Sequence, residues 1–129
     1  MAGRARTFVV LGAANAFLAV LLGAFGAHGL RARLPADLLA IFQTGVQYHQ
    51  MHALGLLLVG LLAGGHAVSD RRASASGWLL AAGIVVFSGS LYALALTGER
   101  RLGAITPLGG LCFLLGWALL AFAAATREG

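Results

Sequence analysis

Four long stretches of this chain contain almost no charged residues, and this pattern restricts the possible folds more than any other feature. A helix needs about 20 mainly apolar residues to cross about 30 Å of hydrocarbon. The stretches cover approximately residues 7–27, 51–68, 77–97 and 105–126. Short breaks with arginine or acidic residues separate them, at 31–33, 70–72 and 99–101. The sequence therefore predicts an all-α integral membrane four-helix bundle that forms a single transmembrane domain over residues 1–129.

The composition excludes a soluble globular domain. Hydrophobic residues make up 60% of the chain and charged residues 10%, whereas soluble domains have about 45–50% and about 25%. The net charge of +5 comes from arginines at the edges of the apolar stretches. A nucleic-acid binder would instead gather its basic residues on one face, so we expect no nucleic-acid partner. The single cysteine, Cys112, excludes an internal disulfide and a zinc site built on cysteine pairs.

The segment before the second stretch, residues 35–50, is polar on one side. Asp37 suits the first turn of a helix, and Gln43, Gln47 and Gln50 fall on one helical face. The segment either lies at the membrane interface or extends the second span into one long helix from about residue 36. We favour the extension, because nothing breaks the helical pattern where the two parts join.

The arginine distribution predicts the orientation. With four spans, the N-terminus, the second break and the C-terminus share one side of the membrane. That side carries five arginines and the other side carries four: Arg4, Arg6, Arg71, Arg72 and Arg127 against Arg31, Arg33, Arg100 and Arg101. The positive-inside rule then places both termini in the cytoplasm of a bacterial inner-membrane protein. The first apolar stretch exceeds the about 7–15 residues of a secretory signal, so we expect a span rather than a cleaved leader.

Nineteen glycines, mostly within the spans, indicate close helix packing. Apolar burial does not drive helices together in lipid, so backbones must approach closely. We assign this packing role to Gly23, Gly26, Gly60, Gly64, Gly89, Gly109 and Gly110. Gly60 and Gly64 form a GxxxG motif, which is either a contact within the bundle or an interface between two copies. With four helices in one chain, we favour the internal contact.

The glycine-rich segment 23–29 ends the first span and has two interpretations. The chain either leaves the helix inside the membrane, as at transporter binding sites, or ends as an ordinary helix with Gly29 as a left-handed cap. We favour the second interpretation, an ordinary helix end capped by Gly29.

Histidines form the main candidate for chemistry. His28, His49 and His52 are expected near the same membrane face. Converging imidazoles can bind a metal or ligate haem, but no cysteine lies nearby and Asp37 is the only accompanying carboxylate. We therefore favour a structural polar network, without metal or cofactor, in which the histidines meet Gln43, Gln47 and Tyr48.

Hydroxyl groups interrupt the third span at Ser88, Ser90 and Tyr92. They either bond to backbone carbonyls and to Asn15 as interhelical contacts, or line a translocation path. Interhelical contact is favoured. Thr106 is expected to cap the start of the fourth span.

The spans lack the groups that most chemistry requires. No aspartate, glutamate, lysine or arginine lies inside them, which argues against a pump or an ion-coupled carrier. The chain also has no nucleophile–base pair, phosphate-binding loop or paired carboxylates. We therefore expect no enzyme activity.

Four segments together resemble the YgdD-like family of small four-helix bacterial inner-membrane proteins of unknown function. They are GAFGAHGL at 23–30, TGVQYHQMHAL at 44–54, FSGSLYALALTG at 87–98 and ITPLGGLCFLLGW at 105–117. The resemblance implies a four-helix membrane bundle and supplies no substrate. The family pattern falls on Gly23, Gly26, His28, Gln47, Tyr48, His52, Ser88, Gly89, Ser90, Tyr92, Thr106, Pro107, Gly109, Gly110, Gly116 and Trp117. His49 departs from that pattern, which leaves His28 with His52 as the candidate pair.

The leading hypothesis is a non-enzymatic membrane bundle with one polar binding cluster. Its candidate members are His28, Gln47, Tyr48, His52, Ser90, Tyr92 and Thr106. The alternative is a small-molecule or lipid binding or transport component with a polar site near His28 and His52. Expected partners are membrane lipids, with a second copy or another membrane protein as further candidates.

Overall fold

The computed structural model describes residues 3–65 and 67–126, and this part of the chain is helical apart from short connections. The α-helices are α1 Gly3–Phe25, α2 Ala36–Gly64, α3 Asp70–Gly83, α4 Gly89–Thr97 and α5 Thr106–Ala125. A π-helical turn, Gly26–Leu30, extends α1, and a second, Ile84–Ser88, joins α3 to α4 into one continuous rod. The 3-10 turn Arg100–Ala104 precedes α5. The predicted all-helical class and the count of four helical rods are confirmed.

Three of the rods are long and apolar enough to cross a membrane. They cover Gly3–Leu30, Asp70–Thr97 and Arg100–Ala125. The helix α2 is not among them, because polar residues between Gln43 and His52 lower the hydropathy of its first half. It nevertheless runs without a break from Ala36 to Gly64, so the polar segment continues this helix instead of forming a separate interfacial one. Arg127, counted above in the charge balance, lies outside the described residues.

The helix α2 and the α3–α4 rod form the centre of the bundle. The flanking helix α1 packs along α2, and α5 packs along α3 and the second π-helical turn. Two apolar clusters fill the interior. The cluster at the end where α1 begins includes Phe8, Leu56, Val59, Leu80 and Phe113, and the cluster at the opposite end includes Leu30, Phe42, Val46 and Ala95.

Glycine brings helix backbones into direct contact at three places. A Cβ atom at Gly12 would lie 2.7 Å from the Leu57 nitrogen, and one at Gly60 would lie 2.9 Å from the Ala5 carbonyl oxygen. Both positions join α1 to α2. A Cβ at Gly109 would overlap the backbone of Phe87, which joins α5 to the π-helical turn. The GxxxG glycine Gly60 is therefore used inside the bundle.

The other glycines assigned to packing differ in their surroundings. A Cβ atom at Gly23 or Gly26 would lie 3.3 Å or 3.0 Å from a side chain of α2, and one at Gly64 or Gly110 would make an ordinary contact at 3.5 Å or 3.9 Å. The packing role predicted for Gly89 is wrong, because nothing lies within 4 Å of its Cβ position. Gly29 also differs from expectation. It lies inside a π-helical turn, and Gly98 after α4 is the only glycine with positive φ among the described residues.

Polar contacts connect the rods at both ends of the bundle. Where α2 begins, Arg100 forms an ion pair with Asp37, and this hydrogen-bonded guanidinium holds the pKa of the exposed Asp37 carboxyl below its usual value. At the opposite end, the Arg72 guanidinium donates to the Thr126 hydroxyl and lies over the Phe122 ring, which ties the start of α3 to the end of α5.

The neighbouring glycines of α5 provide a matched test of backbone contact. Gly109→Ala should destabilise the bundle by about 1–3 kcal/mol, because the added methyl group overlaps the Phe87 backbone. Gly110→Ala should be neutral or slightly stabilising, since its methyl group meets Phe87 at 3.9 Å. Thermal unfolding of both variants in the same detergent measures the difference. Equal melting temperatures would contradict the close approach at Gly109.

Candidate functional site

The two buried histidines lie near the middle of α2. His49 follows Asp37 by twelve residues in an unbroken helix, which places it about 18 Å along the axis at 1.5 Å per residue. The sequence predicted a position near one membrane face. The difference arises because α2 begins at Ala36 and ends at Gly64, so the helix centre falls close to residue 50. His28 is far from this level, because it lies exposed in the π-helical turn that ends the first rod.

His49 joins three helices through its imidazole ring. Its Nε2 lies 2.9 Å from the Asn15 side-chain oxygen, and its Nδ1 lies 2.9 Å from the Tyr92 hydroxyl. The Asn15 amide nitrogen donates to the Leu11 carbonyl, so the Asn15 oxygen is free to accept. The bonds are consistent with a neutral ring in which Nε2–H donates to Asn15 and Nδ1 accepts from Tyr92. Both nitrogens of a ring that is 2% exposed are thereby satisfied.

His52 is also fully bonded, by different partners. Its Nδ1 lies 2.7 Å from the Tyr48 carbonyl oxygen, one turn earlier in α2. Its Nε2 accepts from the Trp117 indole N–H at 3.0 Å, which connects α2 to α5. The imidazole stacks on Phe113, with ring centroids 3.5 Å apart and planes inclined by 10°. These contacts again describe a neutral histidine, with no ring nitrogen available for a ligand.

Serine hydroxyls add further hydrogen bonds at several levels of the bundle. Ser88 donates to the Gly45 carbonyl at 2.8 Å, and Ser76 donates to the Gly116 carbonyl at 2.8 Å. The Ser90 hydroxyl bonds to the Phe87 carbonyl and pairs with the Thr106 hydroxyl at 2.6 Å. Thr106 therefore contacts α4, and its side chain does not cap α5 as expected. Six residues make hydrogen bonds between helices near the middle of α2, and we call them the polar layer: Asn15, His49, His52, Ser88, Tyr92 and Trp117.

The residues of the predicted binding cluster do not converge on one site. Tyr92 joins the polar layer through His49, His52 joins it through Trp117, and Ser90 pairs with Thr106 nearer the end of the bundle. His28 and Gln47 point away from the interior and are exposed. Tyr48 is 40% exposed, and its ring packs on Phe87 with centroids 4.5 Å apart.

Sequence reasoning underestimated His49 and did not select Trp117 as a contact. A usable signal was present in α2, whose buried positions recur at helical spacing. They include Phe42, Val46, His49, Ala53, Leu56, Val59 and Ala63. His49 belongs to that buried stripe, whereas Gln43, Gln47 and Gln50 lie on the exposed side. A histidine in the inward stripe of a membrane helix predicts a partner on another helix.

An apolar groove lies beside the polar layer, between α2 and α5. Its volume is about 710 Å³, within the usual range for ligand pockets. Tyr48, His52 and Trp117 form part of its wall, and the remaining wall includes Met51, Phe87, Leu108, Leu111, Phe113 and Leu114. Met51, Leu111 and Leu114 are at least half exposed, so the groove opens sideways from the bundle. This geometry suits an apolar chain and offers no free charged group.

The described residues do not assemble a metal site. Residues 3–65 and 67–126 contain no group of three or more histidine, cysteine or acidic side chains that could hold an ion. Both nitrogens of His49 and of His52 are already bonded. The pair of His28 with His52, considered from the sequence, is not formed because His28 lies at the end of the first rod.

The long apolar helices and their buried polar layer define an integral membrane protein of the helical-bundle class. The chain belongs to the family described as protein of unknown function (DUF423), whose pattern matches residues 22–110. The membership confirms the expectation of an uncharacterised membrane protein family, and the finer YgdD-like assignment stays a prediction.

Curated relatives cover nearly the whole chain. The UPF0382 membrane protein YwdK of Bacillus subtilis is 52% identical over 119 residues, which cover 92% of this chain and 96% of that protein. A UPF0382 membrane protein of Staphylococcus epidermidis is 50% identical over 118 residues, covering 92% and 94%. One from Staphylococcus saprophyticus is 49% identical over 115 residues, covering 89% and 93%. None of these names denotes an enzyme, and no solved structure matches the chain.

Tyr92 within the polar layer and Tyr48 beside it allow a matched test of the His49 bridge. Tyr92→Phe removes the hydroxyl that bonds His49 Nδ1, and we expect a loss of about 1–2 kcal/mol in unfolding free energy because a buried acceptor becomes unsatisfied. Tyr48→Phe should change stability little, since no described residue bonds its hydroxyl. Unfolding in detergent checks both variants. A larger effect at Tyr48 than at Tyr92 would contradict the assigned network.

Proposed function

We propose that this protein is a non-enzymatic, four-span protein of the bacterial inner membrane that binds the acyl chain of a membrane lipid in the groove between α2 and α5. The observation that carries the proposal is the groove itself, because it is about 710 Å³ in volume, lined by aliphatic and aromatic side chains, and open sideways. An opening between two membrane helices is reached from the hydrocarbon and not from water. A flexible apolar chain is the occupant that such an opening admits.

The bonding of the polar layer supports a binding role over a catalytic one. General acid–base chemistry needs a group that can exchange a proton with a substrate. His49 and His52 use both ring nitrogens within the bundle. The relatives also carry no enzyme name. The polar layer then acts as the rigid support of the groove, in particular through the bond that holds Trp117 in its wall.

The direction of the polar side chains in α2 supports a fourth span. The two histidines point inward and are each 2% exposed, so they add no polar group to the lipid-facing surface of α2. With 29 residues, α2 would extend about 43 Å, long enough to cross the hydrocarbon. Its central place in the bundle, between helices that qualify as spans, is further support. We extend the proposal to the YgdD-like proteins, whose motifs this chain resembles.

The proposed site differs from the one expected from the sequence. The earlier alternative placed a polar site near His28 and His52, but only His52 borders the groove. Recognition would therefore depend on shape and apolar contact, with the Tyr48 ring at the margin. A second copy of the chain and another membrane protein are the competing partners, and both would cover the same exposed leucines.

Filling the groove provides a direct test. Gly110 lines the groove and has room for a side chain, so Gly110→Leu should occupy the space of the bound chain. The readout is fluorescence of Trp117 in a Trp78→Phe background, in bilayers of phosphatidylcholine brominated at mid-chain. We expect quenching to fall by roughly half in Gly110→Leu, because the leucine displaces the brominated chain from the pocket.

The control for this experiment is Gly89→Leu, which adds the same side chain where nothing lies within 4 Å. It should leave Trp117 quenching unchanged. Equal quenching in all three proteins would overturn the groove as a lipid site. If instead the wild-type protein forms dimers and Gly110→Leu does not, the groove is an interface between two copies of the chain.

Cysteine labelling tests the orientation and the fourth span together. In a Cys112→Ala background, Arg33→Cys and Ser69→Cys place thiols beyond the two ends of α2. If both termini are cytoplasmic, a membrane-impermeant maleimide added to intact spheroplasts should label position 33 and not position 69. The opposite pattern would contradict the orientation. Labelling of both positions would contradict a membrane crossing by α2.

A further inference from the structure

A small cavity at the end of the bundle where α1 and α3 begin has features of an anion site, and it is separate from the groove. It lies between the first turns of α1 and the first turns of α3, and its volume is about 250 Å³. Its lining residues are Arg4, Thr7, Phe8, Arg71, Ser74 and Trp78. Nothing in the polar layer or the groove uses these side chains, so the cavity requires its own explanation.

Ser74 gives the first indication of a ligand. It is 9% exposed, and its hydroxyl is the one buried side-chain polar atom without a hydrogen-bond partner in the described part of the chain. Ser76, Ser88 and Ser90 all have partners. An unsatisfied buried hydroxyl is unfavourable. Because Ser74 lines the cavity, a ligand with an acceptor atom placed there would provide the missing bond.

The charges around the cavity define the ligand. Arg4 on α1 and Arg71 on α3 both line the cavity. The two ion pairs among the described residues lie at the opposite end of the bundle and involve neither of these arginines. Asp70 is exposed and is not part of the lining. Two guanidinium groups and a free hydroxyl donor suit a phosphate oxyanion, whose oxygens only accept.

The aromatic wall indicates that this phosphate belongs to a lipid. Phe8 and Trp78 form an edge-to-face pair with centroids 5.2 Å apart, and Trp78 is 55% exposed. In a helix Trp78 lies one turn beyond Ser74, toward the apolar middle of α3. Tryptophan at this level is typical of the headgroup region of a bilayer, and basic pockets between membrane helices bind anionic headgroups.

We propose that Arg4, Arg71 and Ser74 bind the phosphate of an anionic phospholipid, with the exposed Trp78 ring against the start of its acyl chains and the buried Phe8 packed behind that ring. This site recognises a charged headgroup, whereas the groove accepts an apolar chain whatever its headgroup. The two proposals are therefore independent.

Native mass spectrometry of the delipidated protein, titrated with phosphatidylglycerol or phosphatidylcholine, tests the site. We expect the wild-type protein to retain phosphatidylglycerol in preference to phosphatidylcholine. Arg71→Gln and Arg4→Gln should each weaken phosphatidylglycerol binding by about tenfold, through loss of a charge-assisted bond. Ser74→Ala should weaken binding several-fold without lowering the melting temperature of the lipid-free protein, because it removes an unsatisfied hydroxyl.

The matched control is Arg6→Gln, which removes an equal charge from an exposed position outside the cavity. It should leave phosphatidylglycerol binding within about twofold of wild type, as expected for a screened surface charge. Equal losses in Arg6→Gln and Arg71→Gln, or equal retention of the two lipids, would overturn the proposal. Displacement of the lipid by inorganic phosphate at the same concentration would assign the site to free phosphate and would also overturn it.

Discussion

The imidazole of His49 is the contact on which the arrangement of the helices depends. Helices in lipid receive little help from apolar burial, so directional bonds and close packing must hold them in place. His49 donates to α1 and accepts from α4 while its own helix lies between them. Rotation of any one of the three helices would break a bond and leave a nitrogen of the buried His49 ring without its partner. His52 extends the same constraint to α5 through Trp117, so one helix fixes the rotation of its three neighbours.

Glycine and serine act together in this bundle. Ser76 donates to the carbonyl of Gly116, and Ser88 donates to the carbonyl of Gly45. Each bond crosses from one helix to the backbone of another, which is possible because the accepting residue has no side chain to hold the helices apart. The glycines thus let two helices approach closely, and the serine hydroxyls form hydrogen bonds across the short distance between them. Dispersion contacts and hydrogen bonds are gained at the same positions.

Sequence reasoning predicted the all-helical class and the four rods because long apolar stretches have few alternative structures. It was weaker wherever the answer depended on a neighbouring helix. The hydroxyls of Ser88 and Tyr92 were expected to make interhelical contacts, and both contact α2, but spacing alone could not identify Gly45 and His49 as their partners. The π-helical turns were not predicted, since no residue preference separates them from an α-helix. The dispersal of the expected polar cluster has the same cause: residues at the ends of four segments were assumed to meet, and rod length separates His28 from His52.

The π-helical turn Ile84–Ser88 has a consequence for the rod that contains it. A π-helical turn accommodates about one residue more than an α-helical turn, so the residues after it are rotated by about 100° relative to an uninterrupted α-helix. The rod therefore carries two registers. In α3, Ser76 bonds to α5, and in α4 Tyr92 bonds to α2 across a turn that shifts their relative direction by that angle. A single straight helix would keep one phase along its whole length. This rod changes phase halfway, so α2 meets one set of angular positions in α3 and another in α4.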